Sequence, residues 1–327
     1  MRLLMEHAPS LNWRLAHRVA RIRPDDLPEI SANELTMLVA DLRVTARRAG
    51  AIAARHLGID AVGATRIRVV DWAGWGHAVH DMADGAIAQL DLAPPEEAFG
   101  VRLTAARNGA LLGAGMRALS RRLLGQYDAF TGSDTLYLVA PTILAHERRL
   151  GFVPKDFRMW VSLHEQTHAL QFRLAPWLRD HLMGRMRIVL HDEISMTDGL
   201  LGWARTRDLT SLFASPEAGA ALAELSSAMT FLEGHADYVS DYAGRRHAPT
   251  TPALRRAFAR SESATLLGRL SKTFDKNAQY RDGLEFCKKV QRIRNRSALK
   301  AAFAEPGNLP TSDEINDPAA WVKRVHG

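Results

Sequence analysis

His164 and His168 stand four residues apart with Glu165 beside the first, in the run HEQTH at 164–168. On a helix this spacing puts both imidazoles on one face, one turn apart, where they can share a single ion. Glu165 projects about 100° round from His164, close enough to take a proton from water at that ion without ligating it. A hydrolytic centre of this type needs a third protein ligand and an open position. Glu233, in LEGHAD at 232–237, is the favoured third ligand. It adjoins the apolar stripe of Leu232 and Ala236, so its carboxylate is directed partly inward, where an unpaired charge is costly and a cation relieves the cost. Asp237, one turn on, is placed to accept the outer N–H of a ligating imidazole. His235 is the rival ligand, about 200° round from Glu233 on the same helix. Tyr280 and Arg281, in QYRDG, can supply donors to a developing oxyanion.

The elements that must hold these groups are mostly helical. Residues 32–57 carry Leu35, Val39, Leu42 and Ala46 on one stripe. The β-branched run 65–72 predicts a strand followed by a turn at AGWG, and 135–140 predicts a second strand. Residues 157–174 read as the helix of the histidine pair, with Asp156 as N-cap. Ser215-Pro216-Glu217 opens a long core helix that stops at Gly244. Gly234 in that helix would admit the helix of His164 at close range. The expected fold is mainly α with a small β-sheet (α+β). It has an N-terminal, mostly helical part at 1–130 with a strand near 65–72, then a core at 131–327 with a helical insertion at 176–232 between the ligands, all in one compact unit. The insertion, with its apolar tip at 209–214, is expected to cap the cleft and limit substrate size. Gly113-Ala-Gly115 follows a helical pattern with no strand before it, so it reads as helix packing and not as a phosphate loop.

HExxH followed by ExxxD resembles the gluzincin pattern of thermolysin-like peptidases. VAP, DFRMWVSLHEQTHALQF, PWLRDHL, LEGHAD, QYRDG and DPAAWVKRV together resemble a bacterial zincin-like metallopeptidase family often labelled as associated with deazaflavin coenzyme biosynthesis. The resemblance spans Leu136 to Val325. It implies a zincin-like metallopeptidase fold and one Zn²⁺ per chain, with His164, His168 and Glu233 as ligands and Glu165 as general base. The reaction it implies is peptide-bond hydrolysis by zinc-activated water, with a peptide or protein as substrate.

Composition narrows the field further. A single cysteine, Cys287, excludes a disulfide framework and a cysteine metal cluster. No apolar run is long enough for a signal segment or a membrane span, so the expected location is cytoplasmic. The net charge of +7 is local, because residues 255–300 alone carry 13 basic and 4 acidic side chains. That segment is a solvated face or a dock for an acidic partner; nucleic acid is not expected. Two alternatives compete with the peptidase. One is a non-catalytic zincin scaffold that binds an acidic partner or nucleic acid through 255–300, and the other is a nonpeptidic amide hydrolase. An intact Glu165 favours catalysis, since a binding scaffold needs no base. His77, His80 and Asp81 form a second cluster of ligand-type side chains, for which the sequence places no third ligand.

Overall fold

The computed structural model describes residues 10–21, 29–90, 99–191, 215–263 and 276–327, with side chains described throughout except at 99–101, 190–191, 259–263 and 276–281. These residues are mainly helical with one three-stranded sheet. They divide into two compact units, the described parts of 7–170 with 243–251 and those of 171–242 with 252–327. No described helix is long and apolar enough to cross a membrane.

In the first unit, β1 (Arg66–Val70) runs parallel to β3 (Thr135–Val139), and β2 (Gly125–Tyr127) lies antiparallel on the other side, giving the order β1-β3-β2. All five residues of β3 are buried, as its unbroken apolar run suits a central strand. The three-residue β2 was not predicted, because GQY is too short to show a period. α1 (Trp13–Ala20) and α2 (Ala32–Leu57) precede the sheet; Ser31 and Glu34 close a capping box on α2. The buried stripe of α2 is Leu38, Leu42, Ala46, Ala49 and Ala53, while Leu35 is exposed.

The WAGWG segment is not a turn. It opens α3 (Trp72–Gln89), whose N-cap Asp71 accepts from the Gly74 N–H at 2.7 Å; the satisfied cap offsets part of the helix cost of two glycines, and burial of Trp75 and Ala78 on the same helix adds to that offset. α4 (Phe99–Ser120) packs on α1 through Gly109 and Gly113, where an added Cβ would stand 2.4 Å from the Asn12 and Ala16 carbonyl oxygens. Packing therefore accounts for Gly113. α5 (Ala140–Leu150) follows β3 directly.

α6 (Pro154–Leu174) carries the histidine pair. It starts two residues before Asp156, so that residue is not the N-cap. The Asp156 carboxylate instead accepts from the Thr250 N–H and hydroxyl at 2.9 and 2.8 Å.

The second unit contains α7 (Leu178–His191), α8 (Pro216–Gly244), α9 (Thr251–Ser263), α10 (Lys276–Ile293), 3₁₀ turns at 296–303 and 306–308, α11 (Ser312–Asn316) and α12 (Pro318–His326). Ser215 caps α8 as predicted, accepting from the Ala218 N–H at 3.1 Å. Phe231, Phe286, Phe303 and Trp321 form its aromatic core. Gly234 has a different partner from the expected one. An added Cβ there would stand 2.1 Å from the carbonyl carbon of Gly283, and one on Gly283 would stand 2.1 Å from the Thr230 oxygen. Two glycines thus let α8 and α10 cross backbone to backbone. Much of the expected cap, including 209–214, lies outside the described residues.

Candidate metal centre

Between Val161 and Leu170 every residue of α6 is buried except His164 and His168, which are half-buried. Their Nε2 atoms lie 3.2 Å apart. Two nitrogens bound to one tetrahedral zinc at about 2.0–2.1 Å would be separated by about 3.3 Å, so the pair fits such an ion as it stands.

Three tethers in the first unit fix this helix. Arg158 makes a two-pronged ion pair with Glu147, at 2.7 and 2.8 Å, and reaches Asp41 of α2 at 3.0 Å. Asp156 holds Thr250 in the way described above. Gln166, the first of the two residues between Glu165 and His168, is fully engaged. Its Nε2 donates to the Ala46 carbonyl at 2.9 Å, and its Oε1 accepts from the Ala64 N–H at 2.7 Å. Gly50 and Gly63 make room for it, since a Cβ on Gly63 would stand 2.0 Å from that oxygen.

Glu165 is buried against the edge strand β2. A Cβ added to Gly125 would stand 2.8 Å from its Cγ and 2.9 Å from its Cδ. Gly125 therefore leaves the space in which the carboxylate sits. Neither Gln166 nor Gly125 has a sequence signal as a site residue, because each role depends on chain contacts far away in sequence.

In the second unit, Glu233 is the one half-buried position in the otherwise buried stretch Thr230–Ser240 of α8. Gln171, from the last turn of α6, donates to the carbonyl of its neighbour Leu232 at 2.7 Å. His235 faces the aromatic core. Its ring lies 5.8 Å from that of Phe231 and 5.1 Å from that of Phe303, and its Nδ1 is 3.2 Å from Gln171 Nε2. This environment gives His235 a core role.

Asp237 takes Nη1 of Arg255 at 2.6 Å, and Asp241 takes Nη2 at 2.9 Å. Arg255 is thus withdrawn from the basic face to which its segment was assigned. Lys288 pairs with Glu285, while Lys289, Arg292, Arg294 and Arg296 are exposed. The side chains of Tyr280 and Arg281 lie outside the described residues.

A helix bearing paired histidines and an intervening glutamate, set against a small mixed sheet, defines a zincin-like protein. The chain belongs to the zincin-like metallopeptidase family, which it matches over residues 11–322. It is also similar to a protein from Chloroflexus aurantiacus, provisionally assigned as a hydrolase, whose crystal structure was described as a novel fold. The two are 25% identical and superpose with a TM-score of 0.69 over 96% of this chain and 98% of that one. No curated protein gives a significant match.

Proposed function

We infer that the protein is a zinc-dependent hydrolase of peptide bonds. The observation that carries this reading is the 3.2 Å separation of the two Nε2 atoms on a buried helix, with the buried Glu165 next to the first of them. His164, His168 and Glu233 would hold the ion, each offering one ligand atom. Glu233 is preferred to His235 because His235 is committed to the aromatic core and to the Gln171 amide. Bound zinc supplies Lewis acidity that polarises the scissile carbonyl and acidifies water.

The chain supplies the remaining chemistry. Glu165 accepts a proton from the attacking water and returns it to the leaving amine nitrogen. Asp237, fixed on one side by Arg255, accepts the outer N–H of a ligating imidazole and sets its tautomer. Tyr280 and Arg281 serve as donors to the oxyanion. A cytoplasmic setting belongs to the same reading.

Cleavage of a short-peptide library is the direct test. Turnover should disappear with a zinc chelator and return with added zinc. Chelator-resistant cleavage would refute the assignment, and cleavage confined to nonpeptidic amides would move it to the narrower amide-hydrolase class.

Gly125 provides a second handle. Gly125→Ala should push the Glu165 carboxylate out of line. A misplacement of about 1 Å at a reacting group costs about 10²-fold in rate. Bound zinc should be unchanged, which comparison of turnover with metal content would show.

A further inference from the structure

A second cluster of imidazoles lies in the first unit, on the contact between α1 and α3. His77, His80 and Asp84 share one face of α3 at helical spacing, and His17 of α1 meets them. His17 Nε2 is 3.3 Å from His80 Nδ1, and the His17 and His77 ring centroids are 4.5 Å apart. The other nitrogen of His80, Nε2, lies 3.3 Å from Asp84 Oδ2. The Trp13 indole stacks on the His80 ring, with centroids 3.9 Å apart.

We propose that His17, His77 and His80 form a second metal site, for a divalent transition ion of the imidazole-preferring kind (Zn²⁺, Ni²⁺ or Cu²⁺), which fastens α1 to α3.

Three features support it. The separation of His17 Nε2 and His80 Nδ1 equals that of two nitrogens on one tetrahedral ion, about 3.3 Å. Asp84 Oδ2 lies 3.3 Å from His80 Nε2, a carboxylate on the far side of the ring from His17, the placement that supports a ligating imidazole. Trp13 holds the His80 ring plane from one side. In the metal-free state His17 Nε2 and His80 Nδ1 share a hydrogen bond; binding moves its proton to the other nitrogen of the donor ring, so that both lone pairs go to the ion. His77, exposed on α3, turns to supply the third nitrogen. Imidazole nitrogens, borderline in softness, select late first-row ions over the oxygen-preferring Mg²⁺ or Ca²⁺. Sequence alone shows the His77 and His80 pair; only the fold brings His17 to it.

The test uses the full chain with His164→Ala and His168→Ala, so that its outcome is independent of the proposed catalytic centre. Titration with Ni²⁺ should give one ion per chain and raise Tm. Cu²⁺ should give an electron paramagnetic resonance spectrum with two or three coupled nitrogens. His80→Gln should weaken binding at least 100-fold and abolish the Tm rise. Asp84→Asn should weaken it about tenfold, in the range seen when a carboxylate behind a ligating histidine is removed. His181→Gln should change nothing. If the double variant does not fold, the unmodified chain should bind two Ni²⁺ and His17→Gln only one. Absence of binding in the folded double variant, or binding that survives both His17→Gln and His80→Gln, would overturn the proposal.

Discussion

Replacing Glu165 with Gln is expected to lower kcat/KM by about 10²–10⁴-fold, the usual contribution of a positioned general base, while leaving zinc in place. The substitution keeps the size and planarity of the side chain, so the space above Gly125 stays filled and α6 is undisturbed. It removes only the capacity to take a proton. Because Glu165 does not ligate in this reading, the pair of Nε2 atoms 3.2 Å apart keeps its hold on the ion. A fall in kcat with a nearly constant KM would place the loss in the chemical step. Loss of zinc along with activity would instead make Glu165 a ligand, and unchanged turnover would remove it from the chemistry.

The largest expected effect on stability comes from Gly234→Ala. The added methyl would stand 2.1 Å from the carbonyl carbon of Gly283 and 2.5 Å from its Cα. Backbone offers no rotamer through which to yield, so α8 and α10 must separate and the packing of Phe231 on Phe286 must loosen. Overpacking of this severity lies at the upper end of its usual range, about 3 kcal/mol. In a chain of 327 residues, with an unfolding entropy of about 2.1 cal/mol/K per residue, that lowers Tm by about 4–5 °C. Gly115→Ala is the matching control. A Cβ at Gly115 meets nothing within 4 Å, so the same change on the exposed side of α4 should stabilise by up to about 1 kcal/mol through helix propensity. Thermal unfolding of both variants checks the pair, and a Gly234→Ala protein as stable as the parent would contradict the crossing.

These two glycines show what the sequence conveys and what it does not. The pattern HEQTH carries its own geometry, since a helix alone puts two side chains four apart on one face; the structure adds only their distance. Glu233 was legible for a similar reason, as an acid beside an apolar stripe. Gly234 was recognised as a point of close approach, but its partner was misread, because local sequence does not say which helix arrives there. Gln166 sits inside the motif and looks like a spacer. Its function follows from Ala46 and Ala64, about 100 residues away in the chain, which no periodicity connects to it. Gly125 was missed because a three-residue edge strand has no pattern. AGWG reads as a turn from its glycines alone and is instead the first turn of a helix, because the capping bond from Asp71 has no place in a reading of turn residues.

Zinc content of purified protein, measured by mass spectrometry after dialysis against metal-free buffer, tests the central claim most directly. About one tightly held zinc per chain is expected in the parent and in Glu165→Gln, and loss of that zinc in His168→Ala and in Glu233→Ala. Each protein carries His80→Gln as well, so that the count reads this centre alone. A folded parent protein that holds no zinc after zinc-replete expression, or a His168→Ala protein that keeps its full complement, would contradict the account.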